Sequence, residues 1–240
     1  MAAGQQRLSG RIALITGASR GIGAAVAKRF AAEGAQVVLI ARTVGGLEEV
    51  DDEIRSASGG AAQATLIPLD LLHGEEVDKL ASALAERFGR LDVLVGNAGV
   101  LGTMTPVHQI QPAEWDEVMA VNLTANWRLI RALDPLLRAS PAGRAMFVTS
   151  GVAGGRAYWG TYAVSKTALE ALVRTWVEET ENTTLGINLI GPGAVRTGMR
   201  AAAYPGEDPM LLPAPGDITD VFVDLADAAC TRHGEVVNVR

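Results

Sequence analysis

The sequence is poor in cysteine, aromatic residues and long apolar runs, and each shortage excludes a class of protein. A single cysteine, Cys230, rules out an intrachain disulfide and any zinc site built from several cysteines. Aromatic residues make up only 5% of the chain, which favours a sheet covered by alanine-rich helices over an all-β sandwich. No apolar stretch approaches the roughly 18 residues of a membrane helix, and residues 1–9 lack the apolar core of a signal peptide. We therefore expect a cytoplasmic protein that has no membrane partner.

The charge pattern excludes two further kinds of partner. The net charge is −6 and no basic cluster is present, so we expect no binding to nucleic acid. The three histidines, His73, His108 and His233, are dispersed and predict no metal site. With 240 residues, the chain is long enough to bury a large core, and we expect one domain over residues 1–240.

A glycine-rich turn follows the first predicted strand. Residues 11–16 form a short apolar run, and a helix with one apolar face follows the turn Gly17-Ala18-Ser19-Arg20-Gly21-Ile22-Gly23 and ends at Gly34. Glycines placed between a strand and a helix let the backbone approach a pyrophosphate, which the helix N-terminus attracts. The segment predicts a dinucleotide site, with an unliganded glycine turn as the alternative. Its spacing, Gly-x3-Gly-x-Gly, differs from the commoner Gly-x-Gly-x2-Gly pattern.

The end of the second predicted strand, residues 36–40, indicates which dinucleotide would bind. An acidic residue at this point would bind the ribose hydroxyls of NAD, but the chain has Ala41, Arg42 and Thr43 instead. Arg42 could pair with a 2′-phosphate, and Arg20 could add a second positive charge. This pattern favours NADP, with NAD possible, and a solvated arginine is the alternative role for Arg42.

Two further predicted strands end in residues suited to a ligand. Residues 64–69 run into Asp70, whose carboxylate could accept a hydrogen bond from an adenine amino group or could cap a helix. Residues 91–95 run into Gly96-Asn97-Ala98-Gly99, and such small residues indicate a close approach of the backbone to a ligand. An amphipathic helix over residues 75–88 separates these two strands.

The alternation of strands and helices predicts an α/β fold. We expect a Rossmann-type, doubly wound parallel sheet in a three-layer αβα arrangement, within a single domain. In such a fold ligands bind at the C-terminal ends of the strands. Gly17, Asp70, Gly96 and the stretch after residues 147–149 all fall at those ends, so we expect them to share one site.

Tyr162 and Lys166 are four residues apart and share one face of a predicted helix. A nearby positive charge favours the phenolate and lowers the pKa of a tyrosine. A tyrosine tuned in this way can exchange a proton with a carbinol or carbonyl oxygen. The spacing also arises by chance, and a helix with a solvated lysine is the alternative.

With Thr16-Gly17-x3-Gly21-Ile22-Gly23, Asn97-Ala98-Gly99 and Tyr162-x3-Lys166 in this order, the chain resembles the short-chain dehydrogenase/reductase family from about Leu8 to Arg200. The resemblance implies that Tyr162 is the acid/base and that Lys166 binds the nicotinamide ribose and depresses the pKa of Tyr162. It also implies that Asn122 holds a water molecule of the proton relay. The cofactor contacts that it implies, together with those argued above, are Gly17, Ser19, Arg20, Gly21, Ile22, Gly23, Arg42, Asp70, Leu71, Asn97, Ala98, Gly99, Tyr162, Lys166, Pro192, Gly193, Val195 and Thr197.

The catalytic serine of the family has two candidates in this chain. The family places it thirteen residues before the tyrosine, where this chain has Thr149, whereas Ser150 lies twelve residues before Tyr162. The run over residues 149–154 resembles the family's serine-rich turn, so one loop residue is missing after it if Ser150 is the match. We favour Ser150 and keep Thr149 as the alternative, because either hydroxyl could donate the hydrogen bond.

The resemblance implies an NADP-dependent oxidoreductase that transfers hydride between NADP(H) and a ketone or secondary alcohol. A non-catalytic NADP(H)-binding scaffold or redox sensor is the main alternative, and isomerase or epimerase chemistry is a further one. Family members usually pair through the helices that correspond to residues 115–137 and 162–179, so a homodimer or homotetramer is expected.

The substrate, a small-molecule carbonyl or alcohol, would contact three loop regions. These are residues 100–107, 155–160 and 199–212, and the last belongs to a predicted lid over about residues 195–215. The side chains that indicate a partly apolar pocket are Tyr158, Trp159, Met199 and Tyr204.

Overall fold

Seven parallel strands form the central sheet of the protein, in the order β3-β2-β1-β4-β5-β6-β7. The computed structural model describes residues 6–239, so residues 1–5 and Arg240 of the predicted domain lie outside the described residues. The strands are β1 (Ile12–Thr16), β2 (Gln36–Ala41), β3 (Thr65–Pro68), β4 (Val93–Gly96), β5 (Arg144–Val148), β6 (Gly186–Gly191) and β7 (Val236–Asn238).

Helices connect successive strands and cover both faces of this sheet. They are α1 (Gly21–Ala32), α2 (Val44–Ala57), α3 (Gly74–Phe88), α4 (Pro112–Met119), α5 (Ala125–Arg138), α6 (Gly160–Glu179), α7 (Gly198–Ala203) and α8 (Asp220–Ala226). The predicted fold class, a doubly wound parallel sheet in three layers, is confirmed. No helix within residues 6–239 is long and apolar enough to cross a lipid bilayer.

Two apolar cores explain why the inner strands are apolar along their whole length. All five residues of β1 are buried, because helices pack on both sides of the sheet. One core joins the sheet to α1, α2 and α8 and contains Phe30 and Phe222. The other joins it to α3, α5 and α6 and contains Leu129 and Trp176. Together they fix the strand ends from which the loops of the candidate site emerge.

The helix predicted over residues 115–137 is interrupted. The structure has α4, then a π-helical turn over Ala120–Thr124, and then α5. The π turn contains Asn122, whose side chain is fully buried. A π turn carries one more residue than an α turn and is frequent at functional sites.

The strand order creates a crevice at one edge of the sheet. From β1 the chain proceeds outward through β2 to β3, and it then returns to the other side of β1 to form β4. The connections therefore leave β1 and β4 in opposite directions, and ligands bind in such a crevice at the C-terminal strand ends. This is the edge at which the sequence predicts the site.

Candidate active site

A cavity of about 780 Å³ opens at the C-terminal ends of β1 to β6. It brings together most of the residues that the sequence predicts for the site. Those that line it are Gly17, Ser19, Arg20, Gly21, Ile22, Arg42, Asp70, Leu71, Asn97, Ala98, Gly99, Thr149, Ser150, Tyr162, Lys166, Pro192, Gly193, Val195 and Thr197.

Gly23 is predicted to bind the cofactor but does not line the cavity. A Cβ atom at this position would collide with the carbonyl oxygen of Gly17, because α1 packs directly against the turn that precedes it. The absence of a side chain at Gly23 therefore serves the contact between helix and turn. The contact of Gly23 with the cofactor stays a prediction beside this packing role.

The turn between β1 and α1 is shaped by glycine backbone conformations. Gly17 and Gly21 have φ values of +65° and +58°, which residues with a Cβ rarely adopt. Arg20 is the N-cap of α1, and its side chain makes no capping hydrogen bond. The first N–H groups of the helix can therefore serve an anion.

Thr16 ties this turn to the loop after β4. Its hydroxyl oxygen accepts hydrogen bonds from the backbone N–H groups of Asn97 and Ala98, both at 3.0 Å. The side-chain Nδ2 of Asn97 donates a hydrogen bond of 2.9 Å to the backbone carbonyl of Thr16. The two glycine-containing loops are thus held as one unit. This role of Thr16 was not predicted, although a hydroxyl at the end of a buried strand is a signal for it.

Arg20 and Arg42 are both exposed and lie at the end of the cavity next to β1 and β2. Within residues 6–239 neither arginine forms an ion pair. Their guanidinium groups are therefore available to an anionic ligand at this end.

Asp70 lines the cavity but does not cap the following helix. Its Oδ1 accepts a hydrogen bond of 3.0 Å from the N–H of Leu72, and α3 begins after His73. The helix-cap interpretation of Asp70 is therefore wrong, because the carboxylate closes a local turn two residues ahead of it. Its other oxygen remains able to accept a hydrogen bond from a ligand.

Three successive residues at the end of β5 face three successive turns of α6. The carbonyl of Val148 accepts a hydrogen bond of 2.8 Å from Nζ of Lys166. Ser150 and Tyr162 both line the cavity, and the Ser150 hydroxyl acts to lower the pKa of the Tyr162 phenol.

Between these two contacts, the hydroxyl of Thr149 donates a hydrogen bond of 2.7 Å to Glu170. Its proton is therefore used in a bond to a residue that lies two turns beyond Tyr162 on α6. Of the two candidate hydroxyls, the geometry favours Ser150.

Burial governs the protonation of Tyr162 and Lys166. The pKa of Tyr162 is raised above its ordinary value by desolvation, which outweighs the opposing hydrogen bond from Ser150. The net direction of the shift is therefore upward, because the loss of solvent dominates, and the depression of this pKa by Lys166 stays a prediction. Desolvation also lowers the pKa of Lys166, to about 8. Its Nζ lies 5.8 Å from the centre of the Tyr162 ring.

The side chain of Asn122 is bonded to protein groups on two sides. Its Oδ1 accepts from the N–H of Val100 at 2.8 Å, and its Nδ2 donates to the carbonyl of Val100 at 2.9 Å and to Oγ of Ser165 at 3.0 Å. Its backbone carbonyl accepts a hydrogen bond of 2.8 Å from Nδ2 of Asn126. Asn122 therefore fastens the loop after β4 to α6 and does not itself line the cavity.

The part of the cavity beside Tyr162 is apolar, and only some of the predicted residues form it. Trp159 and Met199 line it. Tyr158 does not, because its side chain is 61% exposed and its backbone has a left-handed φ of +69°. Tyr204 stands behind the wall and packs against Trp159 with 5.9 Å between ring centres.

Sequence reasoning missed several apolar residues at the strand ends that also line the cavity. They are Ile40, Ala41, Leu69, Val121 and Val148. The only signal for them in the sequence was their position at the end of a buried strand or, for Val121, in a helix that faces the sheet. Within residues 6–239, no group of three histidine, cysteine or acidic side chains could hold a metal ion.

Comparison with known proteins gives consistent matches over most of the chain. A family profile described as short chain dehydrogenase matches residues 11–208. An uncharacterized oxidoreductase of Escherichia coli K12, YciK, is 40% identical over 220 residues, which cover 91% of this chain and 87% of YciK. An uncharacterized NAD-dependent oxidoreductase of Mycobacterium tuberculosis is 34% identical over 248 residues, with 91% of this chain and 90% of that protein covered.

A solved structure from Escherichia coli CFT073, described as a short chain dehydrogenase complexed with NADPH, has the same fold. It superposes with a TM-score of 0.93 at 39% identity, and the match covers 98% of each chain.

Proposed function

Because the chain belongs to the short-chain dehydrogenase/reductase family, we propose that this oxidoreductase transfers hydride between NADP(H) and a ketone or secondary alcohol. One observation carries the proposal. Ser150, Tyr162 and Lys166 meet in one cavity with the glycine turn and the two unpaired arginines. The family members that bind NADPH and NAD support a nicotinamide dinucleotide as the cofactor.

The residues present fit such a cofactor. Gly17 and Gly21 keep the backbone accessible at the N-terminus of α1, where a pyrophosphate would accept hydrogen bonds from N–H groups. Gly99 leaves open the space beside Lys166, since a Cβ atom there would lie 3.7 Å from its Nζ. The other predicted contacts of this part are Ser19, Ile22, Leu71, Asn97, Ala98, Pro192, Gly193, Val195 and Thr197.

The choice of NADP over NAD is supported by Arg42 and Arg20. Both guanidinium groups lie at the end of the cavity nearest β2, and a 2′-phosphate there would meet two positive charges that have no acidic partner in the described chain. Asp70, with one free carboxylate oxygen, would accept from the adenine amino group. When it is bound, the nicotinamide supplies or accepts the hydride.

Tyr162 is the proposed proton donor to the carbonyl oxygen. Since burial raises its pKa, the phenol holds its proton at neutral pH, which is the form required for ketone reduction. Ser150 would donate a hydrogen bond to the same oxygen and orient it. In the reverse direction, the phenolate would take the proton of the alcohol.

Lys166 is the proposed electrostatic partner of Tyr162. With a pKa of about 8 it is largely protonated at neutral pH, so its charge stabilises the phenolate that forms when Tyr162 gives up its proton. It would also bind the nicotinamide ribose. Asn122, in the π turn beside α6, would hold a water molecule that connects this pair to solvent.

The surroundings of the site support three further proposals. Residues of about 195–215, which include α7, would form a lid over the substrate. Trp115, Trp127 and Val164, on α4, α5 and α6, expose 38%, 42% and 44% of their area, and this supports assembly into a homodimer or homotetramer through these helices. A single, partly buried cysteine favours the cytoplasm as the site of action.

The test of this function compares two tyrosines that are four residues apart. Tyr162→Phe should abolish the oxidation of NADPH by a panel of ketones, while NADPH still binds in a fluorescence titration. Tyr158→Phe, which changes an exposed tyrosine outside the cavity, is the matched control and should retain turnover. Normal turnover by Tyr162→Phe would contradict the proposed mechanism.

A further inference from the structure

One wall of the cavity, beside Tyr162, is formed by apolar side chains from three separate segments. Leu101, Trp159, Met199 and Ala203 line it. They belong to one apolar cluster with Val152 and Tyr162. Trp159 is only 9% exposed, so its indole forms a fixed surface.

The rings in this wall are stacked in series. The ring of Tyr162 lies 5.8 Å from that of Trp159, at an angle of 53° between the planes. The ring of Tyr204 lies 5.9 Å from Trp159 on the cavity's outer side, at 45°. Trp159 is therefore held between two neighbours, and its position relative to the Tyr162 hydroxyl is fixed by packing.

Arg200 is the cation that α7 contributes to the cavity lining, and its charge is already compensated. Its Nε and Nη2 donate two hydrogen bonds of 2.6 Å to the two carboxylate oxygens of Glu207. Its guanidinium also lies 3.8 Å from the centre of the Tyr204 ring. A negatively charged substrate would have to displace Glu207 in order to gain a partner on this wall.

We infer that the substrate is an uncharged ketone, or the corresponding secondary alcohol, that carries a flat or bulky apolar group next to the reacting carbon. This inference rests on the proposed function and names the substrate class of the same site. The transfer of an apolar group from water to the surface formed by Trp159 and Met199 is favourable in free energy. A carboxylate or phosphate against Trp159 and Met199 would lose its hydration there, while Arg200 on this wall is already bonded to Glu207.

The experiment uses a pair of ketones that share a phenyl ketone and differ in whether the neighbouring group is a neutral ester or a carboxylate. Methyl benzoylformate is neutral and benzoylformate is an anion, and both present the same phenyl ketone. Butanone serves as the small aliphatic ketone and acetoacetyl-CoA as the polyanionic one. Each is incubated with the full-length protein and NADPH, and the fall in NADPH absorbance gives kcat/KM.

We expect kcat/KM for the methyl ester to exceed that for benzoylformate and for butanone by about tenfold or more, since an unpaired buried charge and a lost apolar contact each cost at least about one tenfold factor. Equal or faster reduction of benzoylformate or acetoacetyl-CoA would overturn the inferred substrate class and leave the proposed function intact.

A binding measurement separates the substrate class from the chemistry. The Tyr162→Phe variant, loaded with NADPH, is titrated calorimetrically with the ester and with the acid. Tighter binding of the ester supports the inferred class even if no ketone of the panel is turned over, an outcome that would count against the proposed function alone. Tighter binding of the acid overturns the inferred class.

Glu207→Gln tests the role assigned to the Arg200–Glu207 pair. Removing the carboxylate leaves the charge of Arg200 free, so the ratio of kcat/KM between ester and acid should fall several-fold. Glu235→Gln is the matched control, because it removes an exposed carboxylate 3.5 Å from Arg232, outside the cavity. An unchanged ratio in Glu207→Gln would contradict the assignment.

Trp159 is tested by two substitutions of graded size. Trp159→Ala should raise KM for the methyl ester by about tenfold while changing KM for butanone much less, and Trp159→Phe should restore most of the difference because it keeps an aromatic face. A parallel loss for both ketones in both variants would assign Trp159 a purely structural role and would overturn its part in substrate selection.

Discussion

The hydroxyl of Thr149 donates a hydrogen bond of 2.7 Å to the carboxylate of Glu170 on the neighbouring helix. The residue before it, Val148, accepts a hydrogen bond from Lys166, and the residue after it, Ser150, lines the cavity together with Tyr162. Tyr162, Lys166 and Glu170 are separated by four residues each and therefore share one face of α6. Thr149 thus helps to hold the end of β5 in register with the proposed catalytic residues although it does not itself bond Tyr162.

Thr149→Val should therefore weaken both the fold and the activity. Loss of the donor to a mostly buried carboxylate is expected to lower the free energy of unfolding by about 1–3 kcal/mol. It should also lower kcat more than it changes the KM for NADPH, because Ser150 is displaced. Urea unfolding and steady-state kinetics measure the two effects.

Two further variants distinguish this role from general damage. Thr149→Ser keeps the hydroxyl and should recover kcat. Thr175→Val removes an exposed hydroxyl on the same helix that donates to the Ala171 carbonyl at 3.0 Å, and should change kcat little. Failure of Thr149→Ser to recover kcat would argue against a positioning role for the hydrogen bond.

Lys166 makes the stability of the fold depend on pH. Its pKa in the folded chain, about 8, lies below the value of 10.5 for the free side chain. Between these values the unfolded chain binds a proton that the folded chain has released, so the free energy of unfolding rises with pH.

Lys166→Met should remove this rise, which amounts to about 3 kcal/mol over the whole window for this buried side chain. Urea unfolding between about pH 8 and about pH 10 measures it. Lys79→Met, at an exposed lysine on α3, is the control. Parallel curves for the wild type and Lys166→Met would show that burial does not perturb Lys166.

Arg42 is expected to set the preference between the two dinucleotides. Arg42→Ala should raise the KM for NADPH by about tenfold or more, the equivalent of one charge-assisted hydrogen bond, and should change the KM for NADH little. Arg87→Ala, which changes an arginine that packs over Phe88 at the end of α3, is the control. An equal effect on both cofactors would remove Arg42 from phosphate recognition.

Substitution by alanine should have opposite effects on stability at Gly23 and at Gly45. Gly23→Ala would drive a methyl group into the Gly17 carbonyl and should destabilise the fold by about 1–3 kcal/mol or more, since backbone cannot easily yield. Gly45 lies in α2 with open space around it, so Gly45→Ala should stabilise by roughly 0.5–1 kcal/mol. Thermal unfolding of the two variants provides the measurement, and a stable Gly23→Ala protein would contradict the packing role.

The elements that could be predicted are those whose signal is local. The run before Gly17 and the run before Asn97 are apolar over their whole length, and both form buried strands. The glycines around residue 20 and the alternation of strands and helices were enough to predict the parallel sheet and the edge that holds the cavity.

The features that were missed depend on partners distant in the sequence. The π turn at Asn122 accompanies contacts with Val100 and Ser165, neither of which a helical pattern records. The net rise in the pKa of Tyr162 was missed because spacing reveals the nearby lysine but not the loss of solvent. The sequence favours Ser150 over Thr149 only by likeness to a serine-rich turn, and the hydrogen bond from Thr149 to Glu170 adds a physical reason for the same choice.

The residue proposed to select the cofactor and those proposed to select the substrate follow different strands. Arg42 follows β2, whereas Trp159 and Met199 follow β5 and β6, and Leu101 after β4 completes the apolar wall. In a double-mutant cycle, the effects of changing Arg42 and Trp159 on kcat/KM should add as free energies. Such a scaffold can acquire a new substrate by divergence at Trp159 and Met199 while Arg42 keeps the same cofactor.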